Sequence, residues 1–210
     1  MNQFNIEERN FIPKNYNTFL YSLIHISDIE LPIQLCNELI DAFNNNTELH
    51  YQGHTTGGIN HSIKKTTDLI IPKDTEKWNK TEKLLSSYLQ KAIVEYIKLY
   101  RRFIREDEKL YVPHFQIQKY EKNEGHFQGY HHDFYIDERI ASFRVITFII
   151  YLNHISIGGE TEFMDEIQII PSPGKIVLFP AAWPYIHKGN IPISDDKYIV
   201  TGWFVSFTNR

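Results

Sequence analysis

A single cysteine, Cys36, is all the thiol chemistry in these 210 residues, which excludes an internal disulfide. No apolar core follows the opening Met1-Asn2-Gln3-Phe4-Asn5-Ile6-Glu7-Glu8, so nothing there marks a secretory leader. The longest apolar stretch, Val145 to Leu152, is far too short to cross a bilayer, and no membrane partner is expected. Positive charge is not in excess either. A formal net charge of −4 and a pI near 6.2 argue against non-specific nucleic-acid binding, which needs a basic surface to displace counterions from phosphate. Internal repeats, low-complexity tails and charge blocks are also missing, so nothing announces a second domain. Together these absences point to a reducing, cytoplasmic setting.

What is present suits one sizeable core, since 42% of the residues are apolar and 14% aromatic. The expected fold is mainly β with α. Residues 1–210 read as a single domain, in which a mixed helical support (1–110) precedes a double-stranded β-helix, or jelly-roll, core (111–210). Leu35, Cys36, Leu39, Ile40 and Phe43 recur at helical spacing after Pro32, and Asn44-Asn45-Asn46 ends the run. Between Tyr51 and Pro72 a Gly-, Thr- and Lys-rich stretch reads as loop or lid, with one edge strand ending at Asp68-Leu69-Ile70-Ile71. Asn79-Lys80-Thr81-Glu82 fits a helix start, and Leu85, Tyr88, Leu89, Ala92, Ile93, Tyr96, Ile97 and Tyr100 then form an apolar stripe for packing on a sheet.

From Val112 the period becomes alternating. Phe115, Ile117 and Lys119 fall on one side, and His114, Gln116, Gln118 and Tyr120 on the other. Two readings fit that polar row: the inward face of a jelly-roll near a hydrated site, or a half-exposed edge strand. Phe143 to Leu152 is apolar on both faces, as a central strand should be.

The chemistry lies between Tyr130 and Trp203. His131-His132-Asp133 comes first, then Gly158-Gly159-Glu160-Thr161, then His187, with Lys197 ten residues beyond it. If residues 130–134 are a strand, His131 and Asp133 project to one side and His132 to the other. Two imidazoles and one carboxylate are the facial ligand set of non-haem Fe(II) oxygenases, which leaves one face of the metal open. His187 follows the strand-like Lys175-Ile176-Val177-Leu178-Phe179-Pro180, and a turn-like stretch leads on to Lys197, which predicts a hairpin bringing Lys197 back beside His187. His25, His50, His54, His61, His126 and His154 lack comparable partners and read as loop or surface residues.

From about Phe115 to the C-terminus the chain resembles the 2-oxoglutarate/Fe(II)-dependent dioxygenases, in particular the prolyl 4-hydroxylase-like branch. Tyr120, His131-x-Asp133, Arg144-Val145-Ile146-Thr147, Tyr151-Leu152, Gly158-Gly159-Glu160-Thr161, Pro173-Gly174, His187, Lys197 and Trp203 stand in that family's order. The resemblance implies that His131, Asp133 and His187 are catalytic and bind Fe(II), and that Lys197 binds the far carboxylate of 2-oxoglutarate. It also implies that Tyr120, Thr161 and Trp203 complete the cosubstrate site. The implied reaction consumes O2 and 2-oxoglutarate, releases succinate and CO2, and hydroxylates a C–H bond. Arg144 and Trp183 are candidates to line the approach of the prime substrate.

A peptide or protein substrate, with a peptidyl proline favoured, and a small molecule both fit, because scaffold does not settle substrate. A nucleobase is the less favoured alternative, since only Lys188 and Lys197 follow His187 before Arg210, where base-repair relatives carry an arginine pair. The alternative outside catalysis is a cupin-like metal or ligand binder, although such a protein has no evident need for Lys197.

Overall fold

The structure, a computed structural model, describes residues 21–73, 76–101 and 109–207. The opening Met1 to Glu8 and Arg210 lie outside the described residues. Among the described residues, two sheets and two long α-helices make up most of the fold. The larger sheet runs β1(His25–Glu30), β11(Lys175–Pro180), β8(Ser142–Tyr151), β13(Lys197–Phe207), β5(Gln116–Tyr120), β4(Thr67–Ile70), β2(Tyr51–Gln52), with β7(Ile136–Asp137) paired to β8. The smaller runs β10(Ile167–Ile169), β9(Thr161–Phe163), β12(His187–Gly189), β6(His126–His131), β3(Lys64–Lys65). The described pairings are all antiparallel.

Side-chain alternation divides the interior into two layers. On β8, Ile146, Phe148 and Ile150 point to the helices, while Thr147, Ile149 and Tyr151 point to the smaller sheet. Ile117, Ile176, Leu178 and Val200 join the first layer, against α1(Ile33–Asn44) and the stripe Leu85, Leu89, Ala92, Ile93 and Tyr96 of α2(Glu76–Tyr100). Tyr120, Phe163, Val177, Phe179 and Ile199 make the second layer, between the sheets. Each buried Leu, Ile or Phe contributes roughly 1.5–3 kcal/mol, so these layers hold the sheet faces in register. The central-strand reading of Phe143 to Leu152 agrees with β8, which is paired on both sides by β11 and β13.

Several local expectations are corrected. The helix expected from Asn79 begins a turn earlier, at Glu76, where buried Trp78 anchors its first turn and outweighs the capping pattern. The stretch from Tyr51 to Pro72 holds three short strands, and β4 is not at the edge, because β2 and β5 flank it. Strands β1 to β4, from the front of the chain, pair within both sheets. His187 and Lys197 do not form a hairpin. Their strands β12 and β13 belong to opposite sheets, so the connection crosses the sandwich and Lys197 pairs with Tyr120 instead. No described helix is long and apolar enough to cross a membrane.

Candidate metal centre and cosubstrate pocket

The strand carrying the HxD motif ends at His131, and Asp133 lies in the irregular segment beyond it. Strict alternation therefore does not place Asp133. It is held instead by Thr147 on β8, whose hydroxyl donates to Oδ2 at 2.8 Å, and its backbone carbonyl accepts from Arg144 at 3.4 Å. His187 pairs directly opposite His131. The ligand atoms of His131, Asp133 and His187 all lie within 4.8 Å of one another. His132, by contrast, is exposed.

Both imidazoles are set for coordination through one nitrogen. Nδ1 of His131 lies 2.9 Å from the Gly129 carbonyl, and Nδ1 of His187 lies 3.1 Å from that of Tyr185. A ring that donates from Nδ1 keeps its lone pair on Nε2. The Nε2 atoms stand 3.9 Å and 3.6 Å from the two Asp133 oxygens. Phe127 stacks on His131 at 3.7 Å, and Phe163 and Phe179 pack on His187. Burial, with His187 close by, lowers His131 to about 4. Burial pushes the Asp133 carboxyl up, but His187, His131, the Thr147 hydroxyl and Arg144 outweigh it, so the acid stays ionised. An unprotonated His131 beside an ionised Asp133 is the form in which these two groups can meet a divalent metal.

Deeper in the barrel stands Lys197, 1% exposed. Its ammonium donates to the Gly159 carbonyl at 2.8 Å and lies 4.4 Å from the Tyr120 ring centroid. Among the described residues it makes no ion pair. Burial alone, opposed weakly by Glu160, brings it down to about 7. Gly159, at φ 73°, adopts a backbone region open to glycine, and a Cβ there would stand 3.4 Å from the Lys197 chain. Thr161 accepts from the Tyr151 hydroxyl at 2.7 Å.

A cavity of about 980 Å³ opens onto the triad. Tyr120, Thr161, Arg144 and Trp203 line it, whereas Lys197 sits behind its wall and Trp183, 72% exposed, lies away from it. Arg144 stacks on Trp203 at 3.4 Å and faces Tyr135 at 5.2 Å, with no carboxylate paired to it among the described residues. The Trp203 indole N–H is buried without a partner. The polar row Gln116, Gln118 and Tyr120 faces this cavity from a strand paired on both sides, which removes the edge-strand reading.

Sequence reasoning missed three groups. Thr147 sat in a motif without a role, and only the fold shows it against Asp133. Lys64, in an apparent loop, and Asp68, on the expected edge strand, form a buried ion pair at 2.9 Å beside the cavity, which Lys64 lines. His54 and His114 line the cavity, while His25 is tied to Glu95 at 3.0 Å.

The family model of the 2OG-Fe(II) oxygenase superfamily matches residues 115–205, which span the triad and Lys197. No curated protein matches the chain. Solved structures with this architecture include a viral collagen prolyl hydroxylase from Paramecium Bursaria Chlorella virus-1 (TM-score 0.63, 18% identity, 88% of this chain and 96% of that one). A prolyl hydroxylase from Trichoplax adhaerens gives TM-score 0.70 at 17% identity over 90% and 86%. A prolyl-4-hydroxylase from Pseudomonas putida gives 0.59 at 16% over 87% and 92%. Residues 115–205 thus match the 2OG-Fe(II) oxygenase superfamily, and the chain shares the double-stranded β-helix fold of these prolyl hydroxylase structures.

Proposed function

We propose that this dioxygenase hydroxylates a peptidyl proline. His131, Asp133 and His187 hold Fe(II), and Lys197, with Tyr120, Thr161 and Trp203, forms the pocket for 2-oxoglutarate. When bound, iron and cosubstrate supply oxidative decarboxylation to succinate and CO2 and the oxidising power to hydroxylate a C–H bond.

The observation that carries the cosubstrate assignment is the buried Lys197 ammonium without a carboxylate partner. A lone buried cation is costly and calls for an anion. A ligand carboxylate reaching Tyr120 and Thr161 would meet it, and the Gly159 carbonyl keeps the ammonium aimed meanwhile. At the metal, Thr147 engages one Asp133 oxygen and the Nδ1 contacts fix both rings, so the three ligands need little reorganisation.

The peptide reading is supported by the breadth of the cavity, which exceeds what a five-carbon diacid fills, and by the Trichoplax neighbour, solved with a hypoxia inducible factor oxygen degradation domain peptide fragment. Arg144, stacked on Trp203 and bonded to the Asp133 carbonyl, lines the cavity beside the triad, where a substrate backbone would pass. Trp183 would act only as an outlying contact. We also read the chain as one domain, because β1 and β4 of the front pair with β11 and β5 of the core. A reducing, cytoplasmic setting is supported by the single, buried Cys36.

The test is succinate release from oxoglutarate on a panel of proline-containing peptides, other peptides and free metabolites. Stimulation by proline peptides is expected. Binding of oxoglutarate with stimulation by a free metabolite alone would replace the peptide reading.

A further inference from the structure

One wall of the cavity has no part in holding metal or oxoglutarate. Gln116 Nε2 donates to the Tyr51 hydroxyl at 2.8 Å and to Asp68 Oδ2 at 2.9 Å, and Lys64 Nζ reaches the same Asp68 oxygen at 2.9 Å. The Tyr120 hydroxyl donates to Gln118 Oε1 at 3.1 Å. These bonds leave donors over. Tyr51 accepts from Gln116 and keeps its own proton, Gln118 keeps its Nε2 group, and Lys64 keeps two of its three N–H bonds. None of these meets an acceptor among the described residues, although Lys64 is 4% and Gln118 5% exposed. All three residues line the cavity, so their spare donors face it and can receive an acceptor from a ligand.

Charge decides which acceptor. Asp68 is fully buried and neutralises Lys64; its Oδ1 has no partner among the described residues but Asp68 does not line the cavity, so the cavity face offers N–H and O–H groups without net charge. An anion gains more at Lys197, which has no such partner, and is repelled here by Asp68. An uncharged carbonyl suits the wall. Its position is also favourable: Lys64 lies 5.4 Å from the ring centroid of Phe127, the ring that stacks on His131.

We infer that Tyr51, Lys64 and Gln118, held by Asp68 and Gln116, form a subsite for an amide carbonyl of the prime substrate. The inference rests on the peptide reading above and deepens it, because an amide-bonded residue satisfies the wall whereas a free amino acid brings a carboxylate to it.

The experiment compares wild type with Tyr51→Phe and Gln118→Met, which remove a donor with little change in volume. Circular dichroism verifies folding. The probes are an N-acetylated, C-amidated Gly-Pro-Gly peptide and free proline, each followed by succinate release; oxoglutarate binding to the Ni(II)-loaded protein is followed by calorimetry. Each substitution should raise the peptide KM about fivefold to tenfold, as expected for one lost hydrogen bond. Oxoglutarate affinity should hold in Tyr51→Phe, whereas Gln118→Met also removes the acceptor of the Tyr120 hydroxyl and is read by peptide KM alone; free proline should be the poorer substrate. An unchanged peptide KM in both variants, a parallel loss of oxoglutarate affinity in Tyr51→Phe, or free proline preferred by wild type would overturn the subsite. If wild type binds oxoglutarate but no peptide stimulates it, the peptide reading itself falls. That outcome is distinct from a working wild type whose variants match it.

Discussion

Thr147 donates its hydroxyl to Asp133 Oδ2 across 2.8 Å, linking the central strand of the large sheet to an acid that no strand holds. Because Asp133 lies past the end of β6, this bond and the Arg144 contact fix where its carboxylate points. Thr147→Val keeps the shape and removes the donor. Groups that orient a metal ligand are typically worth about tenfold to a hundredfold in metal affinity, so competition titration with Ni(II) should show a loss of that size. Unchanged affinity would mean that coordination alone aligns the carboxylate.

His131 and His132 are neighbours with different surroundings. His131 faces His187 with its Nδ1 on the Gly129 carbonyl, while His132 is exposed. His131→Ala should abolish metal-dependent turnover, and His132→Ala should leave metal binding nearly intact. Metal content after loading and dialysis measures both. A His132→Ala protein that cannot retain metal would show that the strand end slips by one residue in solution.

Much of this site was legible because His131 stands two residues from Asp133 and Lys197 ten from His187, and the chemistry tolerates few residue types. Strands β8, β11 and β13 were legible from alternation and apolar runs, as was the α2 stripe. The errors share a cause. The span from His187 to Lys197 looks like a hairpin because turn residues report only that the chain reverses, and not which sheet receives it. Lys64 looked like loop because a strand of two residues carries too little pattern to register. Thr147 could not be assigned because its partner is 14 residues away, across β7 and the turn into β8.

The proposed role of Lys197 would make cosubstrate binding sensitive to pH in a defined direction. Burial lowers its ammonium from the ordinary 10.5 to about 7. A bound dianion favours the charged form and raises the value again. Above pH 7, oxoglutarate binding must therefore take up a proton, and affinity should fall as pH rises. Calorimetry of the Ni(II)-loaded protein at pH 8, in buffers of different ionisation enthalpy, should report an uptake of about one proton. No uptake would mean either that the lysine is already charged in the free protein or that it does not meet the ligand.

The same burial makes a stability prediction that separates a ligand-binding lysine from a structural one. In the free protein the folded-state value is the lower one, so the unfolded chain binds a proton that the folded chain does not as pH falls from 10.5 to about 7. Stability is lost across that window and stays level below it. Lys197→Met removes the penalty while filling the space, so without oxoglutarate the variant should melt higher than wild type at pH 6. The gain should shrink towards pH 10. Each kcal/mol recovered appears as roughly 2–4 °C in a chain of this size. Oxoglutarate affinity at pH 6 should fall in the same variant by about a hundredfold or more, the cost of leaving a ligand carboxylate unpaired in a confined site. Metal affinity should change far less, because Lys197 is not among the three ligands. A variant that melts lower than wild type at pH 6 and still binds oxoglutarate would make Lys197 a structural residue bonded to Gly159, and the cosubstrate anchor would have to be sought elsewhere.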